Sequence, residues 1–329
     1  KALLLAVSIL LLLVSFPGAG LPLLSCIAVA PALMASAKLK PLQSGLVIGG
    51  WAWIWWLGAL WWASASLSTF SESSPFFSIF VTIFVCFTLA IPYALSAFII
   101  AYFKLWYSPF RLIQIPLCFA VFISAFTTLL PASPVNALFE YPILLQWADV
   151  GGLPLLVGMY FIFNTAIASI FVDSKKALPS AMLTLLLIPC LVLSYGYYKL
   201  SVEQTPTTHS LTMGYIQPLA TNQDQLSALI AQTHALKQAT DPVDIIIWPE
   251  VPVDFSWHDK PYERYRISAL AQELNAHLII LSGYHYANHK NAKDGHFNSA
   301  NFISNKGHSL AEYRKQKLVP FFEYLPFKK

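Results

Sequence analysis

The chain has 329 residues and a net charge of +4, with 57% apolar and only 11% charged side chains, and its mean hydropathy is +0.59. Soluble domains carry about 25% charged residues, so a single water-soluble globule is excluded. A charge this small and dispersed also gives no footprint for nucleic acid.

The average hides a split, because residues 1–197 hold 11 charged side chains and residues 198–329 hold the other 25. In chain order, apolar segments occupy residues 2–17, 21–37, 45–67, 76–103, 112–131, 151–172 and 178–197. A helix crosses the hydrocarbon layer with about 20 residues, in a range of about 17–25. The pattern therefore predicts a helical membrane domain of about seven spans over 1–197. The first segment is short and opens on Lys1 rather than Met, so its beginning is expected upstream, with a cleaved signal peptide as the competing reading. Trp51, Trp53, Trp55, Trp56, Trp61 and Trp62 crowd the third segment. These are too many for one interfacial belt, so some are expected to face other helices or a lipid-binding cleft.

Orientation follows from the loops. Lys38 and Lys40, then Lys104 and Arg111, then Lys175 and Lys176 sit in alternate connections, and the intervening ones near 18–20, 68–75 and 132–150 contain no Lys or Arg. Basic loops stay in the cytoplasm, so a seventh span would deliver residues 198–329 to the outer side. The loop 131–150, with Phe139, Tyr141, Leu144, Leu145 and Trp147, reads equally as an apolar flap on the membrane surface or as an ordinary aromatic connector. Cys26, Cys86, Cys118 and Cys190 all fall in apolar segments without metal or redox spacing and read as small hydrophobes.

Beyond residue 208 the period changes. Strands are predicted at 209–217, 243–248, 278–282, 297–304 and 309–318. Asn222 can cap a first helix carrying Leu226, Leu229, Ile230 and Leu236, and Asp259-Lys260-Pro261 opens a second with Ile267, Leu270, Ala271 and Leu274 on one face. Alternating strands and helices followed by adjacent strands predict an α/β layered domain with a mixed sheet.

Glu250 follows the strand Val243–Trp248 through Pro249, which ends the ladder. Strand ends of this kind present ligand-binding groups in α/β proteins. Trp248 and Pro249 are expected to desolvate the carboxylate partly, which suits a general base. Lys315, leaving the last strand in Tyr313-Arg314-Lys315-Gln316-Lys317, can bring an ammonium to a developing oxyanion. Each feature alone has an ordinary structural reading, as a strand-end Glu or a solvated basic run. His285 and His289 lack a third ligand, so no metal is expected.

Together, Trp248-Pro249-Glu250, Phe297-Asn298-Ser299 and the run Tyr313-x-Lys315-x-x-Leu318-Val319-Pro320-Phe321-x-Glu323-Tyr324 resemble the nitrilase (carbon–nitrogen hydrolase) superfamily, and within it the apolipoprotein N-acyltransferase family. The resemblance implies a nitrilase-like α-β-β-α sandwich over 198–329 on the periplasmic side of a bacterial inner membrane. It implies Glu250 as general base, Lys315 as stabiliser of the tetrahedral intermediate and Glu323 as a supporting glutamate, with no cofactor. The implied donor is a phosphatidylethanolamine-like phospholipid, and the implied acceptor is the N-terminal amine of a diacylglyceryl-cysteine lipoprotein. Acyl transfer would pass through a cysteine thioester. The family's cysteine lies downstream of the lysine motif and has no counterpart before Lys329. The sequence is therefore expected to be incomplete at its C-terminus, lacking part of the domain and a closing span, and inactive as it stands. Val251-Pro252 and Phe322 depart from the family pattern and bear on donor preference. The rival readings are a membrane-tethered amidase or nitrilase using water, and a non-catalytic lipoprotein-binding protein.

Overall fold

The computed structural model describes the chain apart from residues 17, 19, 71–73, 127–131, 203–209, 218–224, 241, 251–259, 286–295 and 317–329, with backbone alone at 70, 174–176, 282–285 and 296–298. It divides into two compact units, Lys1–Glu203 and Gln204–Lys329.

The first unit is helical: α1 (Ala2–Ser15), α2 (Ser25–Ala28), α3 (Ala30–Ser36), α4 (Pro41–Ala59), α5 (Ala63–Phe70), α6 (Pro75–Tyr102), α7 (Arg111–Phe126), α8 (Pro142–Leu145), α9 (Ala148–Val172) and α10 (Ser174–Ser201). Seven spans were expected. Among the described residues, three helices are long and apolar enough to cross a membrane, or four if α4 and α5, bent by 54° at Leu60–Trp62, form one span. The three remaining segments give shorter apolar helices at Ala2–Ser15, Pro22–Ser36 and Arg111–Phe126. At 14 residues, α1 is about 21 Å long against a hydrocarbon layer of about 30 Å; α7 ends where the description stops.

The break between α2 and α3 has a local cause. Pro31 has no N–H and cannot continue the ladder, so backbone groups around Val29 need other partners inside an apolar bundle. Asn164 of α9 supplies them. Its Oδ1 accepts from the amides of Val29 at 3.1 Å and Ala30 at 2.9 Å. Its Nδ2 donates to the carbonyls of Cys26 at 2.9 Å and Tyr160 at 3.0 Å. Nearby, the Tyr160 hydroxyl donates to the Ser25 carbonyl at 2.7 Å.

The tryptophans divide as expected. Trp51, Trp55 and Trp56 are buried with Tyr93 in the core, whereas Trp61 and Trp62 stand exposed at the α4–α5 bend. Helices α4 and α6 approach closely because Gly49 faces Ala94; a Cβ there would lie 2.9 Å from the alanine methyl, a small-residue contact typical of membrane helices.

Ion pairs tie the two ends of the unit. Arg111 donates to Asp173 at 3.2 Å and to the Trp106 carbonyl at 2.9 Å, joining the α6–α7 connection to the α9–α10 connection. At the opposite end, Lys199 meets Asp149 at 2.7 Å, joining the start of α9 to the end of α10. In the connector before α9, Ser133 and Asn136 form a capping box, Pro134, Val135, Ala137 and Leu138 are buried, and Tyr141, Leu144, Leu145 and Trp147 are half-buried, with Phe139 exposed.

The second unit holds β1 (Met213–Tyr215), α11 (Gln225–Ala239), β2 (Ile245–Ile247), α12 (Pro261–Leu274), β3 (His277–His285), β4 (His296–Ile303) and β5 (Ser309–Arg314). The sheet order is β1-β2-β3-β4-β5, parallel through β3 and antiparallel beyond, the mixed sheet predicted. His209 and Asn222 lie outside the described residues. Right-handed crossovers in one direction along the sheet put both helices on one face. Leu226, Leu229, Ile267, Leu270, Ala271 and Leu274 pack there with Ile246, Leu278, Ile280 and Ile303. The other face, with Ile245, Ile247, Ile279 and Phe302, is half-buried. Gly307 takes φ +77° in the β4–β5 turn, and Leu310 is the extra residue of a bulge between Phe302↔Ala311 and Ile303↔Ser309.

Candidate active site

The Ile-rich run of β2 is buried on its helix side and continues as far as Trp248, whose amide donates to the Ile279 carbonyl at 2.9 Å. Trp248 is fully buried, and its Nε1 donates to Thr233 Oγ1 at 3.1 Å. That hydroxyl in turn donates to the Leu229 carbonyl at 2.7 Å. This chain of bonds pins the strand end to α11 just before Pro249 stops the ladder, and Glu250 emerges beyond it. Sequence reasoning missed Thr233; nothing in its position on α11 announces a partner 15 residues away.

Lys315 follows β5 directly. Its Nζ donates to Glu250 Oε1 at 3.4 Å, so the structure brings these two predicted residues together. The third, Glu323, lies outside the described residues, as does His289. The lysine side chain is 34% exposed and the glutamate 57%. Glu250 is thus the more exposed of the pair, while the Trp248 indole that precedes it is fully buried against Thr233.

β2 and β5 are three ladder steps apart, which at about 4.8 Å per step separates their axes by about 14 Å. The contact closes because Glu250 lies three residues past Ile247 and because both side chains are long. Ser299 on β4, opposite Arg314, is 2% exposed, and its hydroxyl has no hydrogen-bond partner among the described residues. It is a second polar group near this edge of the sheet, noted in the sequence only as part of Phe297-Asn298-Ser299. Among the described residues no group of three metal-ligating side chains occurs.

A carboxylate and an ammonium meeting at strand ends can share two tasks, relaying a proton and stabilising a developing oxyanion. No family model matches the chain. It is similar to the apolipoprotein N-acyltransferase of Geobacter metallireducens, 27% identical over 97% of this chain and 64% of that protein. The Sinorhizobium fredii protein of the same name is 27% identical over 86% of this chain and 54% of its own length. That of Rickettsia prowazekii is 25% identical over 68% and 52%. The chain thus spans between about half and just under two thirds of the length of these curated relatives. Through both of its units, this chain is similar to proteins named apolipoprotein N-acyltransferase.

Proposed function

We propose that this chain carries the membrane unit and nitrilase-like sequence of an apolipoprotein N-acyltransferase, with Glu250 as general base and Lys315 as oxyanion stabiliser. The observation that carries the reading is the meeting of Lys315 and Glu250 at 3.4 Å, at positions matching the family motif. In the proposed reaction a thiol passes its proton to Glu250, and the thiolate attacks the ester carbonyl of a phospholipid. Lys315 balances the negative charge on the carbonyl oxygen. The lysophospholipid leaves as an alcohol, taking the proton from Glu250, and a thioester remains. The α-amine of a diacylglyceryl-cysteine lipoprotein then attacks the thioester, gives a proton back to the thiol through Glu250, and departs as the amide. Glu323 supports this site in the same reading.

Both substrates are lipids, and this is why such a catalyst needs a membrane unit. Drawing either into water costs about 0.8 kcal/mol per CH₂. The half-buried second face of the sheet, with Ile247, Ile279 and Phe302, suits the second layer of an α-β-β-α sandwich. The proposed location is the bacterial inner membrane with residues 198–329 on the periplasmic side. The ion pairs support this topology: Arg111–Asp173 joins two of the basic connections, and Asp149–Lys199 joins the end of α10 to a connection without Lys or Arg. Basic connections are retained in the cytoplasm.

The test uses the protein made from its complete gene, in membranes supplied with a diacylated lipopeptide and acyl-labelled phosphatidylethanolamine. Label is expected on the lipopeptide amine. Glu250→Gln and Lys315→Met should each lower transfer by about 10²-fold or more. Release of free fatty acid with no lipopeptide acylation would assign hydrolysis instead.

A further inference from the structure

Hydrocarbon offers no hydrogen bonds, so a polar group inside a membrane bundle takes its partner from the protein or from trapped water. Trp51 of α4 finds one in the protein: its Nε1 donates to Ser8 Oγ at 3.0 Å, and Ser8 donates to the Ala28 carbonyl at 2.6 Å. Three rings of the same cluster do not. Trp55, Trp56 and Tyr93 are at most 1% exposed, and Trp55 Nε1, Trp56 Nε1 and the Tyr93 hydroxyl have no hydrogen-bond partner among the described residues.

These groups are not scattered. The Trp55 ring lies 4.1 Å from that of Trp56, 6.1 Å from Trp51 and 6.2 Å from Tyr93, centroid to centroid. A lone hydroxyl on a helix, such as that of Ser169, can turn to a carbonyl of its own helix. An indole N–H lies fixed in its ring plane and only donates, so two of the three have no such escape. Room lies alongside. Phe16 stands edge-on to Trp55 at 5.7 Å and to Trp56 at 6.3 Å, and Phe16 also borders a half-open cavity of about 260 Å³. That is far above the about 10–15 Å³ that one water needs. Ser15, Gly18, Gly20 and Glu140 share the lining, which gives water polar groups to hold.

We infer that the membrane unit binds internal water at Trp55, Trp56 and Tyr93, entering past Phe16 from this cavity. The ligand must accept hydrogen bonds, because the two indoles can only donate, and it must be small enough for a core closed at 1% exposure. Water meets both demands. Its own protons have acceptors in the same cluster, since the Tyr93 hydroxyl and Ser8 Oγ each keep a free lone pair. The bridge ties α4 to α6 through rings that otherwise meet only by packing. It lies wholly within the first unit and involves no acyl transfer, so it stands or falls separately from the proposed reaction.

The test is radiolytic hydroxyl-radical labelling of the full chain in nanodiscs prepared in H₂¹⁸O, mapped by mass spectrometry. Radicals form from bound water, so buried residues that touch it are modified and dry ones are spared. Trp55, Trp56 and Tyr93 are expected to label several-fold faster than Trp248, an indole equally buried whose N–H is bonded to Thr233. Tyr93→Phe should slow labelling at Trp55 and lower the melting temperature by about 2–4 °C, because a water-bonded hydroxyl is lost. Labelling of the parent protein no faster than at Trp248 overturns the inference without any variant. A Tyr93→Phe protein that melts at or above the parent also overturns it, since removing a bare hydroxyl from a dry core costs nothing.

Discussion

Replacing Asn164 with leucine isolates the bonds that hold the α2–α3 break. Leucine repeats the γ-branching of asparagine without its hydrogen-bonding capacity, and its two methyls are bulkier than the amide, so some overpacking adds to the loss. The four bonds at 2.9–3.1 Å disappear, and the amides of Val29 and Ala30 and the carbonyl of Cys26 lose this partner in the bundle interior. Groups left bare cost about 1–3 kcal/mol each. Hydrogen bonds between membrane helices average about 0.6 kcal/mol each, or about 1.8 kcal/mol for the three that leave α9, the fourth being internal to that helix. The segment can relax by straightening, so the expected loss is near the lower figure, about 2–3 kcal/mol with the overpacking included. For a unit of this size that lowers the melting temperature by about 5–10 °C. The assay is thermal unfolding of the detergent-solubilised protein followed by tryptophan fluorescence and size exclusion. Ser169→Ala on the same helix serves as control, because that hydroxyl has no hydrogen-bond partner among the described residues; it should be neutral. If Asn164→Leu melts within about a degree of the parent, the break is held by something other than this side chain.

Three further outcomes are expected. Thr233→Val strands the buried Trp248 indole N–H at a cost of about 1–3 kcal/mol, and it should lower the proposed acyl transfer by loosening the strand end that carries Glu250; denaturant melts and turnover of the protein made from its complete gene, measured together, check both. Gly196→Ala drives a methyl against the Ile143 carbonyl, costs about 1–3 kcal/mol as an overpacked contact, and should speed proteolysis within 141–147. Gly307→Ala forces a side chain into the left-handed region, at φ +77°, and to 2.8 Å from the Ser268 carbonyl. Its cost of at least about 1–2 kcal/mol should appear as a lower urea midpoint.

The second unit was legible where its periodicity was strong. Ile267, Leu270, Ala271 and Leu274 recur at helical spacing, and all four are buried; the Ile runs of β2 and β3 mark central strands covered by helices. The ends of the elements were less legible: β2 covers Ile245–Ile247 within the apolar run 243–248, with Trp248 still donating to the Ile279 carbonyl before Pro249 stops the pairing. In the first unit hydropathy marks apolar chain but cannot see where a helix breaks. A side chain 135 residues away supplies the missing backbone partners at Val29, and no local signal encodes that. Of the site, Glu250 and Lys315 were readable from residue order and motif. Their contact was not, because it depends on how four strands lie side by side.

The irregularity at Leu310 decides which cation Glu250 meets. If β5 simply kept the phase it has at Ser309↔Ile303, every later residue would move along by one position and swap sides of the sheet. Tyr313 would then stand opposite Ser299, where Arg314 stands now, and Arg314 would occupy the next step, toward the carboxylate. A rigid, permanently charged guanidinium would take the place of a compact ammonium that can approach an oxyanion as a point charge. One inserted residue at the far end of the strand thus selects lysine over arginine for the partner of Glu250.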